Sequence, residues 1–178
     1  NFYLHENRTQ DLLQQLETGK LDILILPWLP EMSRFERYDL FNEPLVMATS
    51  PSHALADKTK VSFDDLHNQK ILTLEDGHCL RDQAMGYCFS AGAEEDHSFR
   101  ATSLETLRYM VASNMGITLL PQLATINYAP QQHIRYIPFD SPQPIREIAL
   151  LCRAGYTRME SVRAIVSEVR QAVNGLFD

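Results

Sequence analysis

The sequence predicts an α/β protein, because short apolar runs of strand length alternate with longer segments of helical periodicity. Residues 21–26 form a nearly continuous apolar run that Pro27 ends, a pattern typical of a buried parallel strand. Before it, residues 9–19 carry leucines on one helical face and end in a glycine. Because predicted helices and predicted strands follow one another in this way along the chain, we expect mainly parallel sheets covered by helices.

The further elements follow from the same two periodicities. Thr9 is predicted to cap the first helix, and Thr102 and Glu105 have the capping-box spacing that opens a later one. A stripe of Val and Ile near the C-terminus predicts a helix whose apolar face is core or dimer surface. The other predicted strands cover residues 44–49, 71–74, 117–120, 134–137 and 147–152, and the other predicted helices cover residues 79–91 and 102–113.

Composition and charge narrow the range of functions. The chain has 178 residues and a net charge of −7, and an acidic surface repels the phosphates of DNA and of anionic membranes. No apolar run approaches the roughly 20 residues that span a bilayer, so no membrane association is expected. Three cysteines cannot all pair within one chain, whereas disulfide scaffolds of secreted proteins have more cysteines, in an even number. We therefore expect a reducing, cytoplasmic compartment.

The strongest chemical signal lies in residues 75–88. Cys79 falls at the predicted start of a helix, directly after a glycine turn. The positive end of the helix dipole, Arg81 and His78 would each favour the thiolate form of Cys79. A thiolate reacts with peroxide to give a sulfenic acid, which a second thiol traps as a disulfide. Cys79 is therefore the candidate reactive thiol, and Cys88 is the candidate resolving thiol.

The spacing of these two cysteines makes a disulfide dependent on a change of shape. Nine residues of continuous helix separate two Cα atoms by roughly 13 Å, whereas a disulfide tolerates no more than about 7 Å. The helix would have to unwind, and Gly86 weakens it by about 1 kcal/mol relative to Ala. The alternative interpretation, that both thiols are ordinary core residues, stays open because the spacing does not decide it.

The same spacing excludes two other uses of cysteine. It does not form a CxxC redox motif and matches no zinc-binding pattern, so no metal or cofactor is predicted. Cys152 lies inside an apolar strand pattern and is expected to be an inert core thiol.

Several segments resemble a known family of regulators. Residues 16–23 (LETGKLDI) and 115–121 (MGITLLP) resemble the effector domain of the LysR-type transcriptional regulators. Residues 74–88 and 99–108 resemble, more specifically, the OxyR family of hydrogen-peroxide sensors within that group. The resemblance extends over essentially the whole chain. It implies a type 2 periplasmic-binding-protein-like fold, in which two α/β lobes are joined by crossover strands.

The resemblance also implies the domain organisation. Lobe I would comprise residues 1–43 and 147–178, and lobe II, with the redox cysteines, would comprise residues 44–146. The family's winged helix-turn-helix and the first strand and helix of lobe I have no counterpart in this sequence. The acidic charge is consistent with this, because the basic DNA-reading part is missing.

Residue roles are carried over from the family motif position by position. Cys79 matches the peroxide-reactive cysteine and Cys88 the resolving one. Thr9 matches a threonine that helps to place peroxide, and Arg146 matches a buried arginine near the sulfur. A second peroxide-site threonine of the family has no counterpart here.

Three residues beside the reactive cysteine complete the implied site. His78, Arg81 and Asp82 match the residues that flank the reactive sulfur. Each has a simpler alternative role: His78 as a solvated turn residue, and Arg81 as a surface residue paired with Asp82 or Glu75.

The resemblance implies a redox-sensing regulatory domain of a transcription activator, not an enzyme. Hydrogen peroxide would oxidise Cys79, and the disulfide with Cys88 would refold residues 79–91 and change the dimer arrangement and DNA binding. The implied partners are hydrogen peroxide, further copies in a homodimer or homotetramer, a glutaredoxin- or thioredoxin-type reductant, and DNA and RNA polymerase through the full-length protein.

Two other functions remain open from the residues alone. A LysR-type or solute-binding domain would bind a small anionic metabolite at the helix N-terminus formed by Thr102 and Ser103, with Cys79 incidental. A thiol peroxidase would use the same cysteines in repeated turnover, although the sequence offers no separate site for an electron donor.

Overall fold

A computed structural model describes residues 2–76, 79–126 and 133–177, without the side chains of residue 79 and residues 96–99. Within these residues, four α-helices are interspersed with seven strands along the chain, which confirms the predicted α/β class. In chain order they are α1 (Thr9–Glu17), β1 (Ile23–Pro27), β2 (Glu36–Thr49), β3 (Lys70–Leu74), α2 (Cys79–Ser90), β4 (Glu94–Ala101), α3 (Leu104–Ala112), β5 (Thr118–Pro121), β6 (Arg135–Pro138), β7 (Ile145–Cys152) and α4 (Met159–Val173). None of the described helices is long and apolar enough to cross a membrane.

The chain divides into two compact units. The first unit contains residues 1–42 and 146–178, and the second contains residues 43–145. The first boundary falls within β2, and the second falls directly after the first residue of β7. β2 and β7 are therefore the strands through which the chain passes from one unit to the other.

In the first unit, β7 is buried on both faces. It pairs antiparallel with β1, so that Ile23 lies opposite Cys152. Ala149 and Leu151 pack in one hydrophobic cluster with leucines of α1, whereas Leu150 packs in another with valines of α4. Because successive side chains of a strand point to opposite faces, a continuous apolar run is what such a strand requires.

The second unit is built around one large hydrophobic cluster. Strands β2, β3, β5 and β6 and helices α2 and α3 all contribute buried apolar side chains to it. β2 pairs antiparallel with β5 and β6, and β3 pairs in parallel with β4. The helix that carries the predicted redox cysteines thus lies against the core of this unit.

Gly116 lies where the chain passes beside β3. The Ile117 N–H donates to the Lys70 carbonyl at 3.0 Å, and the Leu72 N–H donates to the Ile117 carbonyl at 2.8 Å. A Cβ at Gly116 would lie 2.7 Å from the Lys70 carbonyl oxygen. Only glycine lets the two backbones approach this closely, which explains the glycine of the motif at residues 115–121.

Strand direction is the main departure from the sequence-based prediction. Mainly parallel sheets were expected, but β1 pairs antiparallel with β7, and β2 does so with β5 and β6. The prediction is wrong because the local pattern reports which faces of a strand are buried, whereas its direction depends on connections that are distant in sequence.

Two helix starts differ by one residue from the predicted caps. Arg8 precedes α1 in an extended conformation, and its carbonyl already accepts the first helical hydrogen bond at 3.0 Å. Thr9 is therefore the first helical residue and not the cap. α3 is capped by Ser103, whose hydroxyl accepts a hydrogen bond from the Thr106 N–H at 3.1 Å, and not by Thr102.

One strand was missed altogether. The sequence predicts no strand at Glu94–Ala101, because this segment begins with three acidic residues and lacks apolar alternation. The segment forms strand β4 because it pairs with β3, and this interaction cannot be predicted from the neighbouring residues in the sequence.

Candidate redox site

Helix α2 carries both cysteines of the predicted redox pair. It begins at Cys79, as predicted, and ends at Ser90, one residue before the predicted end. Nine residues separate Cys79 from Cys88 in this continuous helix, so their Cα atoms lie roughly 13 Å apart along its axis. A disulfide between them requires about 7 Å or less and is therefore incompatible with the helical form of α2.

Cys88 is sealed inside the hydrophobic cluster of the second unit. Its residue exposure is 0%, and the same cluster contains Leu80, Ala84 and Met85 of the same helix. Burial raises the pKa of the Cys88 thiol to about 12. The thiol is therefore almost entirely protonated at neutral pH and is a poor nucleophile while α2 is helical.

The C-terminal end of α2 is fixed by a glycine stop that involves Cys88 itself. Gly92 adopts φ +72°, its N–H donates to the Phe89 carbonyl at 3.0 Å, and the Ala93 N–H donates to the Cys88 carbonyl at 3.0 Å. This is the hydrogen-bond pattern of a Schellman motif. A Cβ at Gly92 would also meet the His67 ring at 2.7 Å. Backbone geometry and packing thus both hold the helix end at this point.

Tyr87 attaches the same half of α2 to the rest of the second unit. Its hydroxyl donates to the Ile145 carbonyl at 3.0 Å, and its ring stacks on Phe63 with a centroid separation of 6.1 Å. Ile145 is the last residue of the unit before the chain passes along β7. Any refolding of α2 that moves Tyr87 therefore alters a contact at this crossover.

Arg81 attaches the first turn of α2 to the neighbouring strands. Its Nη2 donates to both carboxylate oxygens of Glu95, at 2.9 and 3.1 Å. The Glu95 side chain is only 3% exposed and also accepts a hydrogen bond from the Thr73 hydroxyl at 3.0 Å. The turn that carries Cys79 is therefore tied to β3 and β4 through one buried carboxylate.

More exposed charges surround this buried pair. Arg81 Nη1 lies 3.3 Å from Asp76 and 3.5 Å from Asp82, whose side chains are 71% and 64% exposed. Arg100 lies 2.8 Å from Asp76 and 3.5 Å from Glu95. Exposed ion pairs contribute little, so Glu95 is the strong partner of Arg81. The pairing of Arg81 with Asp82 that the alternative interpretation predicted is present, but the Arg81 side chain is only 15% exposed and its buried partner, Glu95, was not predicted.

The pKa values of the pair follow from this arrangement. Burial alone would raise the pKa of Glu95, but hydrogen bonds from Arg81 and Thr73 and the charges of Arg81 and Arg100 lower it below its usual value. Burial likewise disfavours the charged form of Arg81, but Glu95, Asp76 and Asp82 outweigh it and raise the pKa of Arg81. Both groups are ionised at neutral pH.

The predicted site residues that the structure describes lie in both units. Thr9 is half-buried on α1 and Arg146 is half-buried on β7, and both belong to the first unit. The remaining predicted residues within the described part of the chain share α2: Cys79, Arg81, Asp82 and Cys88. His78 lies outside the described residues, as does the side chain of Cys79.

Glu95 and Tyr87 were not predicted as site residues. Glu95 belongs to an acidic run whose sequence is typical of a solvated surface. It reaches Arg81 only because β4 pairs with β3. Cys152 is buried in β7, as expected of a core thiol, and its burial raises its pKa. Among the described residues, no group of three His, Cys, Asp or Glu side chains is arranged to hold a metal ion.

The fold and this site define a class of protein. Two α/β units joined through β2 and β7 form the type 2 periplasmic-binding-protein-like fold. The family model of the LysR substrate binding domain matches residues 1–174, so the chain belongs to this family.

Within the family, the chain is similar to OxyR proteins. It is 47% identical over 98% of its length to the "Hydrogen peroxide-inducible genes activator" of Haemophilus influenzae and covers 59% of that protein. It is 47% identical over 99% of its length to the "DNA-binding transcriptional dual regulator OxyR" of Escherichia coli K12 and covers 58% of that protein. The chain thus spans less than two thirds of the length of these relatives, and the resemblance to OxyR seen in the sequence is confirmed.

Solved structures of OxyR agree with this assignment. The reduced form of OxyR matches with a TM-score of 0.88 and 44% identity, covering 99% of this chain and 82% of the solved one. The oxidised form matches with a TM-score of 0.87 and 47% identity, covering 100% and 84%. OxyR has thus been crystallised in two redox forms, and the fold of this chain is close to both.

Proposed function

We propose that this chain is the redox-sensing regulatory domain of a hydrogen-peroxide-responsive LysR-type transcription activator, in which Cys79 and Cys88 form the switch. The observation that carries the proposal is their placement at opposite ends of one helix, with Cys88 buried. In this arrangement, oxidation at one end cannot be completed without refolding the segment between them. A covalent event is thereby converted into a change of shape.

The chemistry has two balanced steps. The Cys79 thiolate attacks one oxygen of hydrogen peroxide, the O–O bond breaks, and the departing hydroxide takes a proton to become water, leaving a sulfenic acid. After α2 opens, the Cys88 sulfur attacks the Cys79 sulfur, the S–O bond breaks, and the second oxygen leaves as water. Two thiols are oxidised to one disulfide, and one peroxide is reduced to two molecules of water.

The position of Cys79 in the protein favours the first step, the reaction of its thiolate with peroxide. Cys79 is the first residue of α2, and the N-terminus of a helix carries a partial positive charge that favours a thiolate. The resemblance implies that Thr9 helps to place peroxide, that His78, Arg81 and Asp82 flank the reactive sulfur, and that Arg146 matches an arginine near it. Because one turnover per signal suffices, a separate donor site is not required, in contrast to a peroxidase.

The second step transmits the signal. Cys88 leaves the core, and the anchors that hold α2 through Gly92 and Tyr87 must break or rearrange. The new surface of residues 79–91 then changes the arrangement of subunits in a homodimer or homotetramer. The DNA-binding parts and RNA polymerase respond in the full-length protein, and a glutaredoxin- or thioredoxin-type protein resets the disulfide in the cytoplasm.

Peptide mass mapping after stoichiometric peroxide tests the proposal. Wild-type protein should contain a Cys79–Cys88 linkage, whereas Cys88→Ser should retain oxidation at Cys79 without any intramolecular linkage. Cys152→Ser serves as the matched control and should form the linkage like wild type, because Cys152 belongs to the other unit. Absence of the linkage in oxidised wild-type protein contradicts the switch.

Gly86→Ala tests whether α2 must unwind. Gly86 is exposed on α2 and a Cβ there meets nothing within 4 Å, so alanine should stabilise the helix by about 1 kcal/mol without a clash. The thiol–disulfide equilibrium in glutathione buffers should shift about fivefold toward the dithiol. A variant that is more stable in urea but has an unchanged redox equilibrium would show that α2 stays helical on oxidation.

A further inference from the structure

We propose that Glu95 is the positioning residue that holds α2 in its helical, reduced form and thereby sets the redox potential of the Cys79–Cys88 pair. This inference rests on the proposed function, since it concerns the same switch. It assigns a role to a residue of β4 that has no thiol chemistry of its own.

The first observation is the degree of burial of the contact. The Glu95 carboxylate is 3% exposed and receives both hydrogen bonds from Arg81 Nη2, together with one from Thr73. A buried carboxylate that loses a cationic partner is destabilised, and Arg100, whose Nε lies 3.5 Å from Glu95 and whose side chain is 32% exposed, compensates the charge only in part. The contact therefore favours whichever form of α2 keeps Arg81 in place.

The second observation is the position of Arg81 on the helix. It is the third residue of α2, two residues after Cys79, and the contact with Glu95 spans 14 residues of sequence to reach β4. Cys79 can approach Cys88 from this end only if the first turn of α2 unwinds and carries Arg81 away from Glu95. The pair thus stabilises the reduced form and opposes the disulfide.

The third observation separates Glu95 from the other carboxylates near Arg81. Asp76 and Asp82 are mostly exposed and lie at 3.3 and 3.5 Å, so water can replace them at little cost. Glu95 also couples the turn to Thr73 of β3, within the core of the second unit. When α2 refolds, water can replace the contacts of Arg81 with Asp76 and Asp82. Among the described partners of Arg81, Glu95 is the one whose contact water cannot replace, because its carboxylate is buried.

The test is the redox potential of Glu95→Gln compared with wild type. Each protein is equilibrated in glutathione buffers, and the fraction with a Cys79–Cys88 linkage is measured by mass mapping. We expect the equilibrium to shift about tenfold toward the disulfide, which makes the potential more negative by about 30 mV. Asp65→Asn is the matched control, because Asp65 is also a carboxylate of the second unit and pairs with Lys58, a residue outside α2. The thiol–disulfide equilibrium of this variant should stay within twofold of wild type.

The possible outcomes separate the inference from the function on which it rests. A wild-type protein that forms no linkage overturns the switch itself. A wild-type linkage with an unchanged equilibrium in Glu95→Gln overturns only the role of Glu95 and shows that α2 opens from its C-terminal end. A shift of equal size in Asp65→Asn would mean that general destabilisation, not the contact with Arg81, changes the potential.

A second variant covers the case in which Glu95→Gln does not fold. Arg81→Lys keeps the charge but removes the planar guanidinium, whose Nη2 contacts both oxygens of Glu95 while its Nη1 lies beside Asp76 and Asp82. Its equilibrium should shift in the same direction by about threefold. An unshifted Arg81→Lys would contradict the proposal in the same way.

Discussion

In the reduced protein, the Cys88 thiol should react with iodoacetamide about two thousandfold more slowly than free cysteine at pH 8. Its pKa is raised to about 12 by burial, so only about one thiol in ten thousand is ionised at that pH. A free cysteine has a pKa of about 8.5 and is roughly one quarter ionised. Because alkylation requires the thiolate, the ratio of the two ionised fractions sets the expected difference in rate.

Timed alkylation of the Cys79→Ser protein, with peptide mass analysis to separate Cys88 from Cys152, measures this rate. The rate at Cys88 should still rise above pH 10, where that of a free thiol has levelled off, and unfolding in urea should remove the protection. Rapid labelling of Cys88 in the folded protein at pH 8 would contradict a sealed resolving thiol.

Because burial raises the pKa of Cys88 in the folded protein, the free energy of unfolding should fall as pH rises. Above pH 8.5 the thiol of the unfolded chain loses its proton while that of Cys88 in the folded chain keeps it, so proton release favours unfolding. This loss of stability is absent below about pH 8.5 and grows until about pH 12. At neutral pH, Cys88 is therefore a protonated thiol of the core and a poor nucleophile.

Gly116→Ala should destabilise the protein by about 2 kcal/mol or more. A Cβ at this position would lie 2.7 Å from the Lys70 carbonyl oxygen and 3.1 Å from the Leu72 side chain. The Lys70 carbonyl is held by the Ile117 N–H at 3.0 Å, so the backbone cannot yield without losing that hydrogen bond. The closest contact is with the main chain, and the Leu72 side chain adds a second, milder one.

Urea unfolding of Gly116→Ala measures the effect, with Gly86→Ala as the matched comparison. The two substitutions are chemically identical, yet we expect opposite signs, because the Cβ at Gly86 enters open space. A loss below about 0.5 kcal/mol in Gly116→Ala would show that the close approach of the backbone to β3 is easily relaxed.

Local sequence signals sufficed to place α2 and its first residue, Cys79. In the sequence, Gly77 before Cys79 and Gly92 after the helix are start and stop signals that act within a few residues, so both helix ends were predicted within one residue. The same is true of α1 and its glycine stop, although its first residue, Thr9, proved to be helical and not a cap. The predicted spacing of Cys79 and Cys88 along the helix needed no tertiary information.

Contacts between distant segments could not be predicted in this way. Glu95 partners Arg81 because β4 pairs with β3, and β4 has no apolar alternation that would mark it as a strand. The antiparallel direction of β1 and β7 likewise depends on the path of more than a hundred intervening residues. Such features arise from pairing that no local window contains.

The sequence by itself determined the α/β class, the helix that joins Cys79 to Cys88, and the family motifs, because periodicity, capping and turn residues act over short distances. Only the tertiary structure decided that Cys88 is sealed in the core and that Arg81 is held by a buried carboxylate. Burial and charge pairing are properties of neighbours in space, and those neighbours are supplied by β3, β4 and the core of the second unit.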